Sequence, residues 1–250
     1  MKIINDTLNK QINFLDERFY TIDQITYYPS VTTVLEVWPK GNGYIQWLKD
    51  LGHNADVVVK KASEQGTVVH NLIDKYLGGS NVTWCNEGGI PVYSLEEWLM
   101  FLKFVDFFET YKPKIITHEE QIVSETMGLG GTVDLVCNIG DEIWLIDNKT
   151  SNAIHTSYEL QMAAYAMMWN EKYPKRKIDR TGVMWLKAPT RGGDKSGNKI
   201  QGKGWQVKEF DRHYTASYKL FQHARAIWDE ENPNYVPKNI IYPSEVKISL

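Results

Sequence analysis

The spacing of hydrophobic residues along the chain predicts a helix followed by three strands. Apolar side chains recur at helical spacing from Leu95 until Pro113, and Ser94 with Glu97 three residues later fits a capping box at the start of this helix. Three stretches of strand character follow, at residues 115–123, 131–138 and 143–149. The short turn NIGD joins the second stretch to the third, so these two strands should form an antiparallel hairpin.

Helical spacing returns after the third strand. Thr156 and Glu159 fit a second capping box, and the helix that they open, YELQMAAYAMMWNEKY, is apolar nearly all round and therefore buried. A strand, TGVMWLK, follows it. After a glycine- and lysine-rich loop at 188–204, the pattern predicts another strand, WQVKEF, and a closing helix at 212–230.

The beginning of the chain is less regular. Residues 1–25 are expected to form a peripheral hairpin or an extended entry, and the following YYPSVTTVLEVWPKGNG is rich in turn residues. A helix is predicted to begin near Tyr44, and another carries VVHNLIDKYL to a stop at Gly78 and Gly79. His70 lies on that second helix.

The order helix, three antiparallel strands, helix, strand predicts an α/β fold, with a central mixed sheet flanked by helices. At 250 residues and 42% hydrophobic, the chain can bury one sizeable core. We therefore predict a single domain over residues 1–250. Its core would span 62–190, with a helical and extended region at 1–61 and a strand and helix at 205–250.

The composition excludes several kinds of site. With 28 basic and 31 acidic residues the formal net charge is -3, so any nucleic-acid site has to be local. Cys85 and Cys137 are too few for a disulfide scaffold, a four-cysteine zinc site or a cysteine-held iron–sulfur cluster. The N-terminus has no apolar signal core, and no apolar run has membrane length. We expect a cytoplasmic protein without a membrane partner.

Two aspartates and a lysine carry the candidate chemistry. Asp134 and Asp147 lie on neighbouring strands of one hairpin, so their carboxylates can converge at one end of the sheet. Converging carboxylates repel each other unless a cation lies between them, and oxygen ligands suit Mg²⁺, with Mn²⁺ as a substitute. Lys149 projects on the same side as Asp147 and can hold an attacking water or offset transition-state charge. The arrangement fits phosphodiester hydrolysis.

An acidic residue, any residue and a lysine also occur together by chance. Glu245 and Lys247 repeat this pattern near the C-terminus without a partner carboxylate. Asp147 and Lys149 taken alone would therefore be interpreted as a solvated strand end with an ion pair.

The combination and order of motifs is more specific. GGTVDLV, IWLIDNKTS and LQMAAYAMMW resemble successive motifs of the RecB-like nucleases in the PD-(D/E)xK superfamily. Upstream, YPSVTTVL, the pair Trp38 and Pro39, and EQGTVVHNLIDKYL are similar to the branch that includes the mitochondrial genome maintenance exonuclease and many phage exonucleases. The resemblance covers roughly residues 26–190 and implies a restriction-endonuclease-like core.

The resemblance implies a set of metal ligands. His70 matches the histidine of the family's G-x-x-x-H helix, with Gly66 in the glycine position, although a lone helical histidine is more often a hydrogen-bonded core residue. Asp134 and Asp147 match the two metal aspartates, and the backbone carbonyl of Asn148 would be a further ligand. The family usually has a bulky apolar residue where Asn148 stands.

The resemblance also implies an upstream glutamate and two helical residues. Glu119 and Glu120 both fit the glutamate, but neighbouring strand residues face opposite sides, and Glu120 is slightly favoured. Gln161 and Tyr165 match a glutamine and a tyrosine on the helix after the lysine, where they could contact phosphate or orient Lys149. Alternatively, Tyr165 belongs to the core and Gln161 fills a polar gap.

Two groups of side chains are candidate nucleic-acid contacts. The first comprises the hydroxyls of PSVTT, which could equally serve turn chemistry after a proline. The second comprises basic residues of the glycine-rich loop, which could equally be solvated. The candidates are Ser30, Thr32, Thr33, Arg191, Lys195, Lys199 and Lys203.

These observations predict a Mg²⁺-dependent deoxyribonuclease. The resemblance implies an exonuclease acting on DNA ends, with a preference for single strands, in DNA repair or recombination of a bacterial or phage-infected cell. A structure- or sequence-specific endonuclease would use the same core. A non-catalytic DNA-end-binding recombination protein is a further alternative, whereas a glycoside hydrolase gives no reason for Lys149.

Overall fold

A six-stranded mixed sheet forms the centre of the protein. The computed structural model describes residues 11–14, 17–23, 25–189 and 200–237. The large sheet comprises β4 (Lys114–Ser124), β5 (Leu129–Ile139), β6 (Glu142–Lys149), β7 (Arg180–Trp185), β8 (Gln201–Gly202) and β9 (Trp205–Glu209). A small sheet comprises β1 (Gln11–Phe14), β2 (Glu17–Tyr20) and β3 (Tyr28–Pro29).

The strand order of the large sheet is β4-β5-β6-β7-β9-β8, and β6 pairs with β7 in parallel while the other neighbours are antiparallel. A parallel pair requires a crossover, and α5 (Thr156–Lys172) provides it. The predicted α/β class with a central mixed sheet flanked by helices is confirmed. The predicted hairpin of β5 and β6 is also present, and Gly140, with φ of +64°, makes its turn.

The remaining helices pack around the large sheet. They are α1 (Val31–Val34), a 3-10 helix (Leu35–Val37), α2 (Asn42–Leu51), α3 (Asn54–Leu77), α4 (Leu95–Tyr111) and α6 (Tyr214–Glu231). One face of the sheet is covered by α1, α5 and α6, and the other by α3 and α4. A buried thiol, Cys137, lies in the second cluster, and burial raises its pKa to about 12.

One of the two predicted capping boxes is present. The Ser94 hydroxyl accepts from the Glu97 backbone N–H at 3.3 Å, and the Glu97 carboxylate accepts from the Ser94 backbone N–H at 2.7 Å. The box at Thr156 and Glu159 was a wrong prediction, because α5 has His155 at its N-cap without a side-chain bond. The Glu159 carboxylate instead accepts hydrogen bonds from α6 and the segment before it.

The structure refines the irregular beginning of the chain. The expected N-terminal hairpin is formed by β1 and β2, and the helix predicted near Tyr44 is α2. The segment that was predicted as turns contains α1 and the 3-10 helix. Within the described part of the chain, none of the helices has the length and apolar character needed to cross a bilayer.

Candidate active site

Three acidic residues form a row across β4, β5 and β6. The register pairs His118 with Leu135 and Glu120 with Val133, so Glu119 lies opposite Asp134. In the next pair of strands, the ladder ends at Leu135 and Ile146, which places Asp147 across from Asp134. The row follows from strand register, and the two aspartates meet as the sequence predicted.

The strand β4 reverses its pleat at Glu119. This residue has φ of +47°, a left-handed conformation that is rare for residues other than glycine. His118 contacts Asp74 on α3 at 2.8 Å, whereas the Glu120 carboxylate accepts from Lys172 on α5 at 2.5 Å. Two residues at even spacing therefore face opposite sides of the sheet.

This reversal decides which glutamate faces the site. The Glu120 carboxylate also accepts from the Tyr173 hydroxyl at 2.5 Å and lies on the α5 face. Glu119 lies with its Oε1 3.8 Å from His70 Nδ1. The slight preference for Glu120 in the sequence is therefore corrected: the structure brings Glu119 to the aspartates, because the pleat does not keep a period of two here.

The helix α3 brings His70 over the row. Its Nε2 lies 3.0 Å from the carbonyl oxygen of Asn148, and its Nδ1 lies 3.4 Å from Asp134 Oδ2. Gly66 lies one turn earlier, where an added Cβ would be 3.2 Å from Thr150 Oγ1. The glycine thus allows the helix to approach the end of β6 closely.

Lys149 lies at the floor of the site in a polar network. Its Nζ is 2.5 Å from Asp147 Oδ2, in a close ion pair. The same ammonium donates to Gln161 Oε1 at 3.1 Å, and Gln161 Nε2 donates to Asp147 Oδ1 at 3.2 Å. The Tyr158 ring lies 4.5 Å from the ammonium. Gln161 therefore connects both charged groups, as one alternative predicted.

Tyr158 was not identified from the sequence. It lies three residues before Gln161, so helical spacing on α5 could have placed both on one face. Tyr165 is buried, and its ring packs directly against Gly131. A Cβ added to Gly131 would lie only 2.4 Å from Tyr165 Cε1. Burial raises the pKa of Tyr165 well above its usual value, so this hydroxyl stays protonated.

Electrostatic interactions in the site reflect the crowded carboxylates. Burial, and then the charge of Asp147, raise the pKa of Asp134 to about 7. Burial lowers the pKa of His70, but Asp134 and the neighbouring acids outweigh it and raise the pKa to about 9. Burial likewise lowers the pKa of Lys149, and the two aspartates raise it overall. Cations are thus stabilised here, and an additional negative charge is not.

A cleft of about 550 Å³ opens over these residues. The helix α3 forms one wall through Ser63, Gly66, Thr67 and His70, and the small sheet contributes Gln11 and Arg18 to the lining. Thr32 is the one PSVTT hydroxyl residue among the residues that line it.

Ser30 and Thr33 have structural contacts instead. The buried Ser30 hydroxyl caps α1 by accepting from the Thr33 backbone N–H at 2.9 Å, and it lies 2.7 Å from the Thr33 hydroxyl. Their arrangement is the turn chemistry that the sequence left open.

The candidate basic loop is only partly described. Arg191, Lys195 and Lys199 lie outside the described residues. Lys203 lines a separate groove beside α4, together with Lys187 and Trp205, and the structure does not bring it to the cleft.

The donor set fits a divalent cation. Ligand atoms of His70, Glu119 and Asp134 lie within 4.8 Å of one another. The Asn148 carbonyl is within reach of His70, and Asp147 adds a carboxylate beside Asp134. An imidazole with carboxylate and carbonyl oxygens is a set that Mg²⁺ or Mn²⁺ accepts.

The comparison with protein families agrees with this geometry. The family model described as the PD-(D/E)XK nuclease superfamily matches residues 46–235. The chain belongs to this superfamily. PD-(D/E)XK nucleases depend on divalent metal ions, and membership supports a metal-dependent nuclease with a nucleic-acid substrate. No curated protein matches the chain.

Proposed function

We propose that this PD-(D/E)XK protein is a Mg²⁺-dependent DNA exonuclease that prefers the ends of single strands. The row of Glu119, Asp134 and Asp147, with His70 and Lys149 in the same open cleft, supports hydrolysis. The preference for ends rests on the order of motifs, which resembles RecB-like exonucleases. Repair or recombination in a bacterial or phage-infected cell is the corresponding context.

The metal would be held by His70, Glu119, Asp134, Asp147 and the carbonyl of Asn148. When bound, a divalent ion polarises the phosphate and lowers the pKa of a water. Asp134 matches this need, since burial and the charge of Asp147 raise the pKa of its carboxyl and thus disfavour its charged form without a cation.

Lys149 would place the attacking water and offset the charge that develops on the phosphate. Asp147 and Gln161 fix the position of its ammonium, and the Tyr158 ring restricts it from one side. Burial of Tyr165 beside Gly131 supports the helix that carries Gln161. The lysine is therefore held in place before substrate arrives, which lowers the cost of reorganisation.

The deciding experiment offers the purified protein three labelled substrates: linear single-stranded DNA, linear duplex, and closed circular single-stranded DNA. Each is incubated with Mg²⁺ and with a chelator. We expect Mg²⁺-dependent loss of linear single strands while circles persist. Cleavage of circles would replace the exonuclease with an endonuclease, and binding without any cleavage would favour the non-catalytic DNA-end-binding protein.

Three variants control this experiment. Asp147→Ala and Lys149→Ala should each reduce cleavage by at least about a hundredfold, because each removes an electrostatic contribution at the reacting phosphate. Lys172→Ala removes an ammonium from an ion pair on the far face of the sheet and should retain activity. Circular dichroism checks that each variant is folded, and wild-type rates in folded Asp147 and Lys149 variants would contradict the assignment.

A further inference from the structure

The hairpin of β1 and β2 forms part of the cleft, although it precedes the residues that the family model matches. Arg18 and Gln11 are its contributions to the lining. Arg18 and Tyr20 are two residues apart on β2 and therefore share one face. This face is turned toward β5.

Contacts with β5 fix the position of the hairpin. The Tyr20 ring covers Gly130, where an added Cβ would be 2.2 Å from Tyr20 Cβ. The Tyr20 hydroxyl lies 3.1 Å from Thr132 Oγ1 and donates to Gln11 Oε1 at 3.2 Å. The Gln11 backbone N–H donates to Gln121 Oε1 at 3.2 Å. The hairpin that carries Arg18 is thus anchored to β5 by Tyr20 and to β4 by Gln11.

The charge balance of the cleft distinguishes Arg18 from Lys149. The lining carries four carboxylates, those of Asp74, Glu119, Asp134 and Asp147. Lys149 is engaged with Asp147, whereas Arg18 forms no ion pair with any carboxylate of the described residues.

Arg18 lies beside the Tyr20 hydroxyl and stays within the influence of the acidic row. Burial raises the pKa of Tyr20. The charge of Arg18 lowers this pKa, and the charge of Glu119 raises it further. The exposed guanidinium is therefore near the acids without being neutralised by one of them.

We infer that Arg18 is a substrate-positioning residue that binds a backbone phosphate of the nucleic acid in the cleft. A guanidinium offers a planar fork of N–H donors that matches two phosphate oxygens. A nucleic-acid strand in the cleft would bring Arg18 an anion, which none of the described carboxylates does. The hydroxyl of Thr32 lines the same space and can donate to a phosphate oxygen.

This inference rests on the proposed function and adds a residue that the catalytic motifs do not contain. Its consequence is a division of tasks within one cleft. The acidic row with His70 would hold the metal, Lys149 would act at the reacting phosphate, and Arg18 would fix the adjacent backbone.

Binding is tested with a short fluorescent single-stranded oligonucleotide in the presence of a chelator, by anisotropy at several salt concentrations. Arg18→Ala should lower the slope of log affinity against log salt by about 0.7, the value for one phosphate contact on a single strand. Arg18→Lys should keep the slope, since it keeps the charge. Arg176→Ala is the matched control, because Arg176 is exposed and does not line the cleft.

Cleavage in Mg²⁺ provides a second readout. Arg18→Ala should raise KM by roughly tenfold while kcat changes by less than about threefold, since the contact is made in both ground and transition states. An Arg18→Ala variant with wild-type salt slope and wild-type KM would overturn the inference alone. A wild-type protein that neither binds nor cleaves nucleic acid would overturn the proposed function and this inference together.

Discussion

At the scale of single residues, the choice between Glu119 and Glu120 shows how backbone conformation selects a site residue. The two are neighbours, yet one lies beside His70 and the other is held by Lys172 on the opposite face. A left-handed conformation at a residue with a Cβ costs about 1–2 kcal/mol and persists only where the surroundings impose it. Strain at Glu119 therefore coincides with the candidate metal site.

This placement gives a matched pair of variants. Glu119→Gln should weaken Mn²⁺ binding and reduce cleavage by about tenfold or more, because a carboxylate near the metal is lost. Glu120→Gln should keep both within about threefold, since Glu120 contacts an exposed lysine. Calorimetric titration with Mn²⁺ and initial cleavage rates measure the two effects. Equal losses of Mn²⁺ affinity and cleavage in both variants would contradict the assignment of Glu119, and not Glu120, to the metal site.

Asn148 is a second residue whose side chain does not suit its position. It is buried, its Oδ1 finds no hydrogen-bond partner among the described residues, and its carbonyl is the part that faces His70. A buried acceptor without a partner costs about 1–3 kcal/mol. Asn148→Leu, which has a similar shape, should therefore raise the free energy of unfolding by about 1 kcal/mol and retain cleavage.

The Asn148→Leu prediction is checked by urea unfolding monitored by tryptophan fluorescence and by cleavage rates. A less stable protein would show that the amide has a partner in solution. Loss of cleavage in a stable protein would show that the side chain itself takes part in the site.

Much of the site could be predicted at this scale, for a physical reason. Asp134 and Asp147 belong to a hairpin with a short turn, so register and pleat follow from the local sequence. The upstream glutamate could not be predicted, because a single positive φ reverses the pleat and no residue type signals it in a glutamate. Arg18 could not be predicted either, since its strand reaches the site through contacts of Tyr20 with β5, which join residues that are distant in the chain.

At the scale of elements, glycines decide how closely the layers approach. Gly131 on β5 receives the ring of Tyr165, and Gly130 beside it receives the ring of Tyr20 on the other side. Neighbouring strand residues face opposite sides, so two adjacent glycines serve two different elements. One strand thus positions both the helix that carries Gln161 and the hairpin that carries Arg18.

We expect Gly131→Ala to destabilise the protein by about 1–3 kcal/mol, because the new methyl group would overlap the Tyr165 ring. It should also lower cleavage, since Tyr165 and Gln161 share α5. Gly43→Ala is the matched control: it lies in α2 with open space around it, and alanine there should be neutral or stabilise by up to about 1 kcal/mol. Urea unfolding compares the two, and a Gly131→Ala variant as stable as the control would contradict the packing of Tyr165.

Long elements were predictable, and short ones were not. The helices α4 and α5 and the three central strands carry enough periodic positions to establish their type. The four residues of α1 and the two of β8 carry too few. The capping box at Thr156 failed because Glu159 finds partners in Arg212 and Ser217, and tertiary contacts outweigh a local motif.

At the scale of the whole molecule, the site collects charges from separate layers. The helix α3 supplies the histidine, β4 to β6 supply the acids and the lysine, and α5 supplies Gln161. Folding therefore assembles a cluster of repelling carboxylates that a cation would relieve.

Metal should consequently stabilise the folded protein. A ligand that binds only the folded state at a hundredfold its Kd contributes about 2.7 kcal/mol, so Mg²⁺ or Mn²⁺ should raise Tm measurably over the chelated protein. Glu120→Gln should show the same increase as the wild type and Asp134→Asn a smaller one. Differential scanning fluorimetry with and without chelator measures this, and a metal-independent Tm would contradict a preformed metal site.

The hairpin of β5 and β6 also has a kinetic consequence. It is a local structure that closes around Gly140, so we expect it to form early in folding and to bring Asp134 and Asp147 together before α3 packs over them. The transition state for folding would then already contain their repulsion. Stopped-flow refolding should therefore be faster in Mg²⁺ than in chelator, and an effect confined to the unfolding rate would show that the carboxylates meet only after the rate-limiting step.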